Sequence, residues 1–128
     1  MLDPAVRDLA RGKNFAAFTV LLPSGQPMTH VMWVDATDEH VLINTERHRA
    51  KLQAVEADPR VTVMVWDAAN PYHYAEVRGT VAGTVGGDEA RRHIDALANK
   101  YTGGDYAGTI QSERVILQIE PARERVWG

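Results

Sequence analysis

The sequence predicts a small α+β domain, mainly β: an antiparallel barrel or sandwich with short helices at its periphery. Three observations carry that expectation. Six or seven runs show the two-residue alternation of strands, and turn-rich segments of hairpin length join most of them. Helical patterns lie between the strands without the strict alternation of strand–helix–strand units. Finally, 128 residues with 45% apolar content and no cysteine suit one domain, 1–128, whose core needs no disulfide.

The first element is a helix. In "LDPAVRDLARGKN", Asp3 is placed as N-cap, Pro4 at the first helical position and Gly12 at the stop, with Val6, Leu9 and Ala10 as the apolar stripe. "NFAAFTVLL" (14–22) reads as a strand ending in the turn "PSGQP". "MTHVMWVDA" (28–36) alternates as a second strand, and "HVLINT" (40–45) follows as a third. A helix is expected over 47–57, facing Leu52 and Val55 inward and ending at Asp58-Pro59. "RVTVMVWD" (60–67) is apolar on both faces, as a strand covered on both sides would be. In "HYAEVRGTVAGTV" (73–85), Gly79 and Gly83 mark bends or bulges in a long strand. Asp88 is expected to cap a helix carrying Ala90, Ile94, Leu97 and Tyr101 inward. After the loop "TGGDYAGT", "ERVILQIE" (113–120) is the last main strand, with a short one expected through "ARERVWG".

The net charge of −3 argues against duplex nucleic acid, which selects basic surfaces. No apolar run reaches the ~18 residues of a membrane span and the N-terminus has no signal-type core, so a cytoplasmic location is expected. The positive charge is local. Arg47, His48, Arg49 and Lys51 fall within five residues at a predicted helix start. Unpaired N–H groups, a positive dipole end, a forked guanidinium and an ammonium together make a competent phosphate site. The same run also fits a solvated helix face paired with Glu46 and Glu56, and the residues alone leave both readings standing.

The remaining chemistry is sparse. His30, His40, His48, His73 and His93 lack metal-ligand spacing, so no metal is expected; His30, on one strand face with Met32 and Val34, reads as a hydrogen-bonded structural histidine. A hairpin would let His30 meet His40, but without further ligands. No nucleophile elbow or Walker loop is present, and "TGGDYAG" follows a helix where a phosphate loop would follow a strand. Trp33 and Trp66 read as partly core. "WDAANPYHY" crowds aromatics around a proline turn, a setting for a planar ligand or a subunit contact.

The succession "HVMWVD", "VLINTERHRAK", "DPRVTVMVWD", "NPYHYAEVRGTV", "LANKYTG" and "ERVILQIEP" resembles the split-barrel family of pyridoxamine 5′-phosphate oxidase and the flavin-reductase-like proteins. It is most similar to the short members that use coenzyme F420. The resemblance covers nearly the whole chain. It implies a six-stranded antiparallel split β-barrel that forms a homodimer, with cofactor in two grooves between the protomers. It implies that Arg49 and Lys51 bind the cofactor phosphate. Met32, Trp33 and Val34, with Asn44 and Thr45, would flank the ring system, and Tyr72 and Lys100 (beside Tyr101) would reach it from the second subunit.

The implied activity is F420-dependent hydride transfer to a small conjugated or quinone-like substrate, with no catalytic acid identifiable. FMN in place of F420 is the alternative within the same fold, since the Arg–Lys pair fits either phosphate. A non-catalytic carrier of F420, flavin or tetrapyrrole is the alternative outside enzymes. Vitamin-B6 oxidation fits less, because such enzymes are longer and carry further basic residues near the C-terminus. Arg47, His48 and Lys100 are expected to line an exit path for the longer F420 tail.

Overall fold

The computed structural model describes residues 1–128. Seven strands form a single, wholly antiparallel sheet in the order β2-β1-β5-β6-β7-β4-β3. These are β1 (Phe15–Leu21), β2 (Pro27–Trp33), β3 (Asp35–Ala36), β4 (Val41–Glu46), β5 (Arg60–Asp67), β6 (Asn70–Val85) and β7 (Arg114–Trp127). Three helices, α1 (Pro4–Arg11), α2 (Ala50–Ala57) and α3 (Gly87–Thr102), lie around the sheet. The class is therefore the expected mainly β one, a curled antiparallel sheet with peripheral helices, built from seven strands where six were expected.

The extra strand comes from a break at Val34. Tyr101 Oη accepts a 3.2 Å hydrogen bond from the Val34 N–H and donates to the Asn14 carbonyl. Lys100 Nζ donates to the Val34 carbonyl at 2.5 Å and to the Ala10 and Arg11 carbonyls at 3.2 and 3.3 Å. The backbone groups of Val34 are thus taken by α3 rather than by a strand ladder, and β2 and β3 part company there. Lys100 at the same time serves carbonyls at the end of α1, which a helix C-terminus leaves unpaired.

The curl comes from β6 and β7. Register shifts fall between Arg78 and Gly79 and between Val81 and Gly83, the two glycines expected to mark bends. A Cβ on Gly79 would sit 2.0 Å from the Glu120 carbonyl oxygen, so the two strands can cross this closely only with glycine there. Inside the curl, Phe18, Val20, Val63, Val65, Val77, Leu117 and Ile119 are almost fully buried, and α1 and α2 add Val6, Leu9, Leu52 and Val55.

Helix α1 is as predicted: Asp3 caps it by accepting from the Ala5 N–H, and Gly12 ends it. Four boundaries differ, among them the start of β6, which lies at Asn70 and takes in the expected proline turn. Helix α2 begins at Ala50, because Arg47 and His48 are drawn into a turn bonded to residues 112 and 113. Gly86, not Asp88, precedes α3, and Asp88 sits in its first turn, where a carboxylate still favours the dipole. The predicted short last strand is the continuation of β7, which runs unbroken through Pro121 alongside β6.

Candidate functional site

A cleft of about 710 Å³ opens between β2, the end of β4, the start of α2 and the inner face of α3. Its apolar lining comes from both faces of β2: Trp33 packs against Ile94 and Leu97, one turn apart on α3, while Met28 and Met32, on the other face of the strand, pack against the main core. Trp33 is held by aromatic packing, stacked on Tyr101 at 5.1 Å and 4° and met edge-on by Tyr106 at 6.3 Å.

The polar side is the end of β4. All six residues of that strand are buried, including Asn44, Thr45 and Glu46, because β7 lies along one edge, one face points into the core and α3 packs on the other. Immediately beyond, the chain turns and starts α2 with no side-chain cap. That leaves N–H groups and the positive dipole end facing the cleft at Ala50 and Lys51. Arg49, Lys51 and Arg114 line this pole together, against the single carboxylate of Glu46.

Glu46 is 1% exposed. Its Oε1 accepts from the Gln111 N–H at 3.1 Å and lies 3.6 Å from Arg114 Nη1. Its Oε2 makes no hydrogen bond, with His48 Nδ1 at 3.3 Å and Arg49 Nε at 3.9 Å. One carboxylate is thus shared loosely between the two arginines. Lys51 is the extreme case: it is 9% exposed, yet its ammonium has neither an ion pair nor a hydrogen bond within the protein. Burial holds its pKa below the ordinary lysine value, and Arg49 and Arg114 push in the same direction.

Six of the nine residues singled out from sequence, Met32, Trp33, Asn44, Thr45, Arg49 and Lys51, line this one cleft. The other three do not. Val34 is fully buried in the core, Lys100 is spent on backbone carbonyls, and Tyr72, 81% exposed, stands near the start of β6. The expected tail path is also absent from the cleft wall, since Arg47 pairs with Glu113 at 2.8 Å and His48 bonds Ser112 Oγ at 2.5 Å. His30 corrects another expectation: it is exposed on the cleft rim and makes no hydrogen bond, whereas His40 pairs with Glu120 at 3.1 Å on another strand.

Sequence reasoning missed Glu46, Arg114, Tyr106 and the α3 face. The Ile94–Leu97 spacing signalled an inward face, but not that part of it would remain open as a wall. Arg114 left no local signal, since a charged residue at a strand's first position ordinarily reads as a solvated end.

A family model described as pyridoxamine 5′-phosphate oxidase matches residues 2–128. The chain belongs to this family. Among solved structures, an F420 reductase is 25% identical with a TM-score of 0.83, over 97% of this chain and 98% of the other. A conserved hypothetical protein from Mycobacterium tuberculosis is 22% identical with a TM-score of 0.78, over 99% and 84%. A putative pyridoxamine 5′-phosphate oxidase from Listeria innocua is 16% identical with a TM-score of 0.65, over 92% and 90%. No curated protein matches the chain. No helix is long and apolar enough to cross a membrane.

Proposed function

We propose that the cleft binds a phosphate-bearing flavin-type cofactor, coenzyme F420, and that the protein is an oxidoreductase reducing a small conjugated or quinone-like substrate with it. One observation carries the reading: Lys51 is nearly buried, has no protein anion, and sits between two arginines at an uncapped helix start. Such a cation is costly unless something anionic completes it. The family's fold binds flavin or F420, and the similarity to an F420 reductase over nearly all of both chains favours the deazaflavin.

Reduced deazaflavin supplies a hydride. This chain's own residues would do the holding. Arg49 and Lys51 grip the phosphate, while the Met32–Trp33 side of β2 supports the ring system. Ile94, Leu97 and Tyr106, packed around Trp33, complete that wall and exclude water, which strengthens every charge interaction inside. Cations at this pole also stabilise negative charge developing nearby during reduction.

A second copy of the chain belongs to the same proposal. The register sets Trp33, Phe15, Trp66, Tyr74 and Trp127 side by side across five strands, on the face opposite the core. The next row on that face places exposed Val31 and Met64 either side of Ala17. Tyr101 covers only the Trp33–Phe15 end, so the remainder is an apolar surface of the kind that oligomer interfaces bury. On this reading a partner protomer brings its own Tyr72 to the cleft. Met64→Glu should then yield monomers in size-exclusion chromatography and weaken cofactor binding; an unchanged elution volume with dimeric mass would refute the location of the interface.

The deciding experiment is a fluorescence titration with F420 beside FMN in one buffer, followed by turnover of the reduced cofactor with a panel of acceptors. Saturable F420 binding with oxidation by at least one acceptor is the expected result. Preference for FMN would move the protein to the flavin branch of the family. Binding without turnover by any acceptor would make it a carrier.

A further inference from the structure

A polar chain, buried at its Asn44–Arg114 end, runs behind the cleft from α3 to β7. His93 Nε2 lies 3.1 Å from Asp35 Oδ2, and His93 Nδ1 lies 3.0 Å from Asn44 Nδ2. Asn44 Oδ1 in turn accepts a 2.8 Å hydrogen bond from Arg114 Nε. Every orientation in this chain is forced. Arg114 Nε can only donate, so the Asn44 atom facing it is the oxygen. The amide nitrogen also donates to the Ala90 carbonyl at 3.0 Å, which can only accept. His93 Nδ1, facing that same NH2, must therefore present its lone pair. The ring proton then sits on Nε2 and is donated to Asp35. Donation runs one way, from Arg114 to Asn44 to His93 to Asp35, the arrangement in which such networks reinforce themselves.

Its terminus is the guanidinium of Arg114, 8% exposed. Besides the Nε bond, Nη2 donates to the Asn44 carbonyl at 3.4 Å, and the Tyr106 ring lies 5.3 Å from the guanidinium carbon. Three sides are thus fixed. Nη1, 3.6 Å from Glu46, makes no hydrogen bond, and the residue lines the cleft beside Arg49 and Lys51.

We propose that Arg114 is a third ligand for the anionic group held by Arg49 and Lys51, and that Asn44, His93 and Asp35 are positioning residues that aim its guanidinium. This rests on the reading of the cleft as the site of a phosphate-bearing cofactor. A guanidinium held at Nε and Nη2 spends no further side-chain freedom on binding, which is the advantage a preset fork has over a mobile lysine.

The test is a double-mutant cycle on cofactor affinity, using whichever of F420 and FMN the wild type binds. Arg114→Gln should weaken binding roughly ten- to a hundredfold, the range for loss of a charged hydrogen-bonding partner. His93→Phe, which removes the acceptor for Asn44, should weaken it by roughly three- to tenfold, yet add nothing on top of Arg114→Gln. His93→Asn, offering a carbonyl oxygen near the Nδ1 position, should restore most of the affinity. Arg114→Lys, which keeps the charge but cannot be held at two nitrogens, should remain well below wild type.

Near-UV circular dichroism would identify a variant that fails to fold, and the remaining variants keep the test decisive. Unchanged affinity in Arg114→Gln, with binding lost in a Lys51 variant, would overturn the assignment while leaving the cofactor site intact. Wild-type affinity in Arg114→Lys, or a His93→Phe loss that persists beside Arg114→Gln, would overturn the positioning role. If the wild type binds neither cofactor, the cofactor reading falls and this proposal with it.

Discussion

Lys51→Met separates a binding lysine from a structural one. The aliphatic stem is retained in length and packing, so the substitution removes little except the charge. In the free protein that charge is a cost. Burial, then Arg49 and Arg114, depress its pKa, and no protein anion compensates. Because Nζ borders an open cleft, the gain on removing it belongs at the low end for buried charges, about 1 kcal/mol. For a domain of this size that is a rise of about 4 °C in Tm. Ligand affinity should move the other way, by roughly 10- to 150-fold, the worth of a hydrogen bond to a charged group. The pH dependence has a definite sign. A depressed lysine destabilises the fold fully below its folded pKa, and the penalty disappears as pH rises towards the unfolded value near 10.5. The Tm advantage of the variant over wild type should therefore shrink in alkaline buffer. Thermal melts across pH, run beside cofactor titrations, give both readouts. A variant that melts lower and binds normally would show that Lys51 is structural and would sink the anion-site reading.

Three further outcomes follow from the fold. Gly79→Ala forces a Cβ to 2.0 Å from the Glu120 carbonyl oxygen, so the β6–β7 crossing must open; a loss above about 3 kcal/mol in urea unfolding is expected, and a loss below 1 would mean the strands can separate cheaply. Tyr101→Phe removes the hydroxyl that bridges the Asn14 carbonyl and the Val34 N–H, leaving buried backbone groups unpaired; about 1–3 kcal/mol should be lost, with Trp33 fluorescence shifted, and an unchanged midpoint would refute the bridge. Arg47→Gln should destabilise the 47–113 connection only while Glu113 is charged. The Arg47 hydrogen bond, then the Gly87 N–H, hold the Glu113 pKa below 4.5, so the difference from wild type is present above 4.5 and lost as pH falls through that lowered value. A difference unaltered in acid would exclude this pair as its source.

The fold was legible wherever a local rule and the tertiary context agreed. Asp3, Pro4 and Gly12 each act within one helical turn, and the structure places α1 between them. Gly79 and Gly83 announced the bends in β6 because glycine in a strand interior marks a bulge, a bend or a close backbone approach. What failed were boundaries set by distant partners. The break at Val34 is made by side chains 66 and 67 positions away, so nothing in "MTHVMWVDA" could reveal it. The start of α2 was misplaced for the same reason: Arg47 and His48 have ordinary helical neighbours, but Glu113 and Ser112 hold them in a turn.

The site divides along the same line, and the division has a physical basis. Arg49 and Lys51 stood out because cations gathered at a helix start fall within a few consecutive residues. The groups around them, Arg114 and the residues that hold it among them, are brought together by the sheet. Glu46 and Arg114 face each other across the β4–β7 ladder, and His93 reaches Asn44 from a helix 49 positions on. Read one at a time, these residues look like a strand-end carboxylate, a solvated arginine and a helix-surface histidine. Only the register turns them into a one-directional network ending in the cleft. Charge gathered at a helix start can therefore be found by composition in a short window, whereas the residues packed around it become visible only once strand pairing is known.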